Sequence, residues 1–334
     1  MIKLSSVKRI YKLNIPNIFT TPIKITSFRI LSCHLRWIAM VVPGLGFLLK
    51  IAYSIESRSA VDVENWVIAQ TEEILQNIDF DKINLASSVN KTIWTCWWQG
   101  EKNAPEIVEL CIMRMRKMSG NAKVVVIDKD NYDKYIKLPD DIINLFNDKK
   151  MSMAHFSDIL RTSILSDYGG LWIDSTIWVH NLIPREAFNN NLYSVRFPVS
   201  PIVKADWGYN DIIFFMCIMG GRNRYFYKII NSMLVQIWRK NRSVVNYLIF
   251  DKIIRVIYKN IPEYREIINR EITCDINEAE IMNGEAKFNL KDIVSEEEFN
   301  DLIKQRKYTK LTYKFNYPKT VNGQQTLYGR ILNS

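Results

Sequence analysis

Histidine is scarce in this chain, and the motifs built on it are missing. Only three of the 334 residues are histidine, and none follows His180. There is no H-E-x-x-H, no Ser/His/Asp order, no G-x-G-x-x-G and no P-loop. The zinc-protease, serine-hydrolase, dinucleotide-binding and P-loop NTPase classes lose their sequence signatures with them. Cysteine is also thin. The five cysteines, at 33, 96, 111, 217 and 274, include no C-x-x-C pair. An odd, dispersed set fits reduced thiols in a cytosolic setting, each a small buried hydrophobe. Internal repeats and low-complexity segments are absent.

Long apolar runs are missing as well. Trp37–Leu49 holds thirteen uncharged residues broken by Pro43-Gly44. That is short of the roughly 20 residues that cross a bilayer. It also begins late for a secretory signal and lacks a clear cleavage site. Acid is what residues 1–58 lack most: they carry nine Lys or Arg and only Glu56, a net +8 of the chain's +10. A nucleic-acid binder would spread its basic face over the folded domain, so no nucleic-acid partner is expected. Basic residues flanking a short apolar run fit an interfacial anchor on an anionic membrane surface. The plain alternative is a hairpin or helix packed on the main domain. The expected organisation is a basic, apolar, membrane-associating helical segment over 1–58 and one enzymatic domain over 59–334, with residues 54–60 as linker.

What is present reads as α/β. Periodicity predicts an amphipathic helix over 61–80, a strand over 91–98, a helix over 105–118 and a strand over 122–128. Helices over 138–147 and 153–167 follow, then a strand over 171–174. This order favours parallel strands with right-handed crossovers. Further on, strands are expected at 192–197 and 212–219, and helices at 225–239, 244–258 and 296–305. Residues 313–314 and 322–330 read as strand or loop near the rim of the site.

The chemistry concentrates in Ala154–Trp178, AHFSDILRTSILSDYGGLWIDSTIW. Asp158 and Arg161 stand one helical turn apart and share a face. After Gly169-Gly170 the run Leu171-Trp172-Ile173 ends in Asp174. A carboxylate at the end of a buried strand sits where open α/β sheets bind ligands, and it suits a Mg²⁺ or Mn²⁺ ion facing phosphate. A planar guanidinium at 161 suits phosphate or sugar hydroxyls; a surface ion pair with Asp158 is the plain alternative. Trp97, Trp98, Gln99 and Gly100 end the first strand, where aromatics can stack on a base or sugar and the turn can receive a nucleoside. Core packing is the plain alternative for the tryptophans. His155 and His180 read as hydrogen-bonded structural residues.

W-x-x-W-W-Q-G, FSDILR and YGGLWIDST together resemble the bacterial capsular polysaccharide synthesis glycosyltransferases, relatives of the α-mannosyltransferase-like enzymes. The resemblance runs from about Lys91 to the NGQQTLYG near the C-terminus. It implies a GT-A fold, here a Rossmann-type open mixed sheet flanked by helices, a nucleotide-sugar donor and retention of anomeric configuration. By that match Asp174 is the first acid of a D-x-D-like metal motif, while Asp158 and Arg161 contact the donor sugar. Trp97, Trp98, Gln99, Gly169, Gly170 and Ser175 complete the expected donor site. The second acid of the motif is replaced by Thr176. The expected metal shell is therefore Asp174, Thr176 and Asn322 with donor phosphates and water around Mn²⁺ or Mg²⁺. Lys310, Lys314 and Arg330 are candidate phosphate partners; Asp206, Asp211 and Asp251 lie where an acceptor site would form.

The expected activity is a peripheral hexosyltransferase at the cytoplasmic face of the membrane, using a UDP-type donor and a lipid-linked glycan acceptor. Two other readings stay open. A non-catalytic nucleotide-sugar scaffold would release no nucleotide, and an α/β phosphotransferase would leave a sugar phosphate in the product.

Overall fold

The computed structural model describes residues 22–195, 216–244, 246–272, 279–281, 290–305, 307–314 and 316–334. Two N-terminal helices, α1 (Ile23–Val41) and α2 (Phe47–Gln76), form a hairpin whose turn contains Pro43 and Gly44. The predicted linker 54–60 is corrected: it lies inside α2. The SIESRSA stretch has no proline or glycine to end a helix, and Ala52, Ser59 and Ala60 are buried. Helix α2 bends at Thr71, whose Oγ1 donates to Val67 O at 2.7 Å. A threonine bonded back to its own helix in this way bends it. Glu64 anchors the helix to the body of the protein by ion pairs with Arg255 (3.1 Å) and Lys259 (2.5 Å).

The predicted alternation follows closely: β1 (Thr92–Cys96), α3 (Glu106–Met118), β2 (Lys123–Ile127), α4 (Asp140–Asn147), α5 (Met153–Tyr168) and β3 (Gly170–Ile173). Helix α3 opens after Pro105 with Glu106 and Glu109 and closes with Arg116 and Lys117, which complements its dipole. Helix α5 starts at Ser152, whose Oγ accepts from His155 N, and ends at Gly169 with φ +69°. Next come β4 (Ile177–Val179), β5 (Tyr193–Ser194) and β6 (Ile218–Gly221). The predicted strands 192–197 and 212–219 correspond to β5 and β6 where described; 196–215 fall outside the described residues. Helices α6 (Arg224–Asn241), α7 (Ile249–Asn260) and α8 (Pro262–Glu271) precede β7 (Ala279–Ile281), α9 (Glu296–Gln305) and β8 (Tyr308–Lys310). The chain ends with β9 (Thr320–Val321), β10 (Gln324–Gln325) and α10 (Leu327–Leu332).

The main sheet has the order β2-β1-β3-β6-β5. Strands β1, β2 and β3 are parallel, while β6 runs antiparallel to both β3 and β5. The sheet is therefore open and mixed. A second sheet, β4-β8-β7, is tied to the first by the turn after Asp174. Helices α5, α6 and α7 cover one side through a core that includes Phe156, Ile159, Trp172, Phe226, Met233 and Ile253. Strand order is the feature that positions the site. From β1 the chain steps to β2 on one side and then to β3 on the other, so β1 and β3 flank a topological switch point. In open α/β sheets ligands bind outside the carboxyl ends of the strands at that point.

Gly170 sets the depth of β3. Its φ is +89°, and a Cβ there would stand 2.5 Å from Thr92 O and 3.1 Å from Trp94 Nε1. Gly170→Ala is expected to lose at least about 2 kcal/mol of stability through strain and collision together, read by denaturant unfolding. An unchanged midpoint would mean that β1 and β3 are not packed this closely.

Candidate active site

Asp174 is the first residue past β3, and its backbone N–H donates to Cys217 O at 2.8 Å, extending the β3–β6 ladder. Side chains two apart on a strand share a face, and Trp172 Nε1 accordingly donates to Asp174 Oδ1 at 2.8 Å. Arg161 reaches the same oxygen from α5, Nη1 lying 3.4 Å away, and pairs through Nη2 with Asp158 Oδ1 at 3.1 Å. On the other oxygen, Lys310 Nζ donates to Asp174 Oδ2 at 2.7 Å. Lys310 arrives by strand pairing: β8 runs antiparallel to β4 with Lys310 opposite Ile177, and Leu311 N donates to Thr176 O at 2.9 Å. The result is a quartet of alternating charge, Asp158–Arg161–Asp174–Lys310, beside the switch point.

Its members are not equivalent. Arg161 also donates to Ser157 O (3.2 Å) and Met216 O (2.5 Å), and its guanidinium lies 5.4 Å from the Trp172 ring. Only 8% of its side chain is exposed. Its planar fork is directed at protein groups, so it braces α5, β3 and the 216–217 turn against one another. The Lys310 side chain is 24% exposed and that of Asp174 19%, so the quartet opens outward on their side. Burial drives the carboxyl of Asp174 upward, but the charges of Lys310 and then Arg161, with hydrogen bonds from Lys310 and Trp172, hold it well below the usual range. Burial opposes the charge on Lys310, but Asp174 raises its pKa above the ordinary lysine value. The neighbouring thiols of Cys96 and Cys217 are pushed up to about 12, by burial first and the Asp174 charge second.

The donor set around Asp174 does not fit a Mg²⁺ or Mn²⁺ ion. Both carboxylate oxygens face cationic or N–H donors. Among the described residues no group of three or more His, Cys, Asp or Glu side chains converges as a metal shell. Thr176 is buried in the turn and offers a hydroxyl. Asn322 is exposed, and with Gly323 it forms the two-residue turn between β9 and β10, φ +51° and +78°. Positive φ at both positions is the Asn-Gly hairpin signature, so turn geometry accounts for this pair.

The other predicted donor residues separate. Gly169 and Gly170 lie at the amino end of β3, roughly 13 Å along the strand from Asp174; they serve the helix end and the close β1 contact. Ser175 is buried in the turn. Trp98 is packed among Tyr132, Phe146 and Phe156, so core packing accounts for it. Trp97 is half-buried, meets Tyr313 edge to face at 5.0 Å, and its buried Nε1 has no hydrogen-bond partner among the described residues. Gln99 is exposed and lines a cleft of about 940 Å³ at the carboxyl ends of β1 and β2, with Gly100, Asn103, Arg116, Asp128 and Asp130. Of the predicted phosphate partners, Lys310 joins the quartet, Arg330 donates to Val294 O at 2.6 Å and Lys314 is exposed. Asp251 is buried on α7; Asp206 and Asp211 lie outside the described residues. His155 and His180 are structural, bonded to Tyr247 O (3.1 Å) and Thr309 Oγ1 (2.8 Å) respectively.

The fold is thus an open mixed α/β sheet with a buried charged quartet beside its switch point. The sequence profile of the family described as "Capsular polysaccharide synthesis protein" matches residues 49–331. The chain belongs to that family, and membership supports a glycosyltransferase. Among solved structures, PaToxG glycosyltransferase is similar at 18% identity and a TM-score of 0.38, covering 66% of this chain and 84% of that one. No curated protein matches the sequence.

The quartet has a pH signature. Burial, more than any charge, raises the Asp158 pKa to about 7, with Arg161 opposing and Asp174 reinforcing. The folded state thus holds this proton more tightly than the unfolded chain does. Its stabilising effect is full below about pH 4 and drains away as pH rises to about 7, on the order of 2–4 kcal/mol in all. Asp158→Asn cannot titrate and is expected to flatten that part of the curve, read by denaturant unfolding between pH 4 and 8. Parallel curves for the two proteins would mean that Asp158 ionises normally.

Proposed function

We propose that the protein is a retaining glycosyltransferase that moves a hexose from a nucleotide diphosphate sugar, of the UDP class, to a hydroxyl of a lipid-linked glycan. The observation that carries this reading is Asp174 fixed between Arg161 and Lys310 at the switch point, in a chain of the capsular polysaccharide synthesis family. As the bond from sugar C1 to the phosphate oxygen breaks, C1 becomes oxocarbenium-like and charge grows on the departing diphosphate. Fixed cations aimed at that charge act without reorganising during the reaction. Lys310, on the open side of the quartet, is the group that meets the phosphate. Asp174 orients Lys310, and Arg161 orients Asp174. No covalent nucleophile is assigned.

Peripheral attachment to the cytoplasmic face of an anionic membrane belongs to the same reading. No helix among the described residues is long and apolar enough to cross a bilayer. Of the exposed large hydrophobic side chains, Ile23, Leu31, Trp37, Val41, Val42, Phe47 and Ile51 all belong to the α1–α2 hairpin. Val41, Val42 and Phe47 surround its tip, with Lys50 beside them. An apolar tip with basic flanks suits the headgroup boundary, where apolar burial and attraction to anionic lipid add.

Two measurements test these assignments. Slow hydrolysis across a panel of nucleotide sugars reads turnover. Arg161→Lys keeps charge but loses the planar fork that braces Asp174, and the misplacement is expected to lower kcat/KM by about 10²-fold. Equal kcat/KM would mean that Arg161 does not position Asp174 for turnover. Co-sedimentation of the full chain with anionic vesicles reads attachment. Replacing the exposed Val41, Val42 and Phe47 together by serine is expected to lower vesicle binding at least tenfold, by roughly 0.8 kcal/mol per lost methylene. Undiminished binding would place the anchor elsewhere.

A further inference from the structure

The donor set at Asp174 disagrees with the metal that the D-x-D-like resemblance implies, and the disagreement has a direction. We propose that Lys310 stands in for the divalent cation, so that this enzyme binds and releases its diphosphate without metal. The inference rests on the glycosyltransferase reading above and says how that same site handles charge.

Three observations converge on it. First, position 176, where the motif would supply a second acid, is Thr176, so the motif offers a metal one carboxylate instead of two. Hard divalent cations are held chiefly by carboxylate and phosphate oxygens. Second, the remaining carboxylate already carries a cation on each oxygen: Arg161 at 3.4 Å on Oδ1 and Lys310 at 2.7 Å on Oδ2. A divalent ion on Oδ2 would place like charges roughly 4 Å apart. Third, Lys310 is not a drifting surface lysine. Its backbone is registered opposite Ile177, and Leu311 N bonds to Thr176 O, so β8 delivers the ammonium to the 174–177 turn. An ammonium has three donors; Asp174 takes one, and the side chain keeps its outward exposure.

The charges balance without a metal. The bond from C1 to the β-phosphate oxygen breaks with its electron pair on that oxygen. The acceptor hydroxyl oxygen bonds to C1, and its proton leaves to the departing nucleoside diphosphate. The group that gains negative charge is the diphosphate, and Lys310 lies on the side from which it is reached.

Titration of the full chain with UDP, in EDTA and in Mn²⁺, tests this, with GDP, ADP and CDP as further probes. The expected result is the same Kd, within about twofold, with and without metal. Lys310→Gln is expected to weaken binding at least tenfold in both buffers, and Lys310→Arg to restore most of it. EPR of Mn²⁺ with the wild-type chain needs no variant and is expected to show no protein-bound metal. Binding that needs Mn²⁺, Mn²⁺ uptake by the protein, or a folded Lys310→Gln protein that binds as wild type does would overturn the proposal while leaving the glycosyltransferase reading intact. Failure of all four nucleoside diphosphates in both buffers would overturn the two together.

Discussion

A carboxylate clamped between two cations is the constraint around which this protein is arranged. Asp174 joins β3 to Arg161 on the preceding helix α5 and to Lys310 on β8, 136 residues further along the chain. Charges this deep are tolerated only when paired, and removing one partner leaves the others uncompensated. The clamp therefore fixes the β3 terminus, the 216–217 turn and the second sheet in one geometry. It also points a single ammonium outward. In the proposed reading, the same interactions that satisfy the buried charges build the surface on which the diphosphate is received.

The sheet explains why the clamp is where it is. Crossovers to opposite sides of β1 open a crevice beside its carboxyl end, and β3 ends at that crevice in Asp174. Close approach of β1 and β3 is permitted by Gly170, and the helices on one side fill the core that holds the strands level. The hairpin of α1 and α2 is joined to this body through Glu64 and the buried side of α2, while its tip stays apolar and exposed. In the proposed reading, attachment at the hairpin tip and chemistry at the crevice fall to different parts of the chain.

Much of this was legible in the sequence, for identifiable reasons. The alternation from β1 to β3 was readable because each strand is a short buried run and each helix has clear ends, such as Pro105 and Gly169. Asp174, Asp158 and Arg161 could be grouped because they lie within one local unit. Lys310 was readable only as one basic residue among several, since its role comes from a pairing across 136 residues. The one local hint was the short alternating run Tyr308-Thr309-Lys310-Leu311. The linker expectation failed because small polar residues in SIESRSA look like a loop, while burial of Ser59 and Ala60 makes them helix. Gly169-Gly170 seemed part of the site from proximity in sequence, but the length of a strand separates them from it. Trp97 and Trp98 were both drawn to the core, each partly buried against a different apolar cluster.

The most direct test of the central claim is a crystal structure of the full chain with a nucleoside diphosphate soaked in without metal. The account requires the diphosphate on the open side of Asp174, with a phosphate oxygen within hydrogen-bond distance of Lys310 Nζ. A diphosphate seated away from Lys310, for example in the cleft at Gln99 and Asp128, would contradict it.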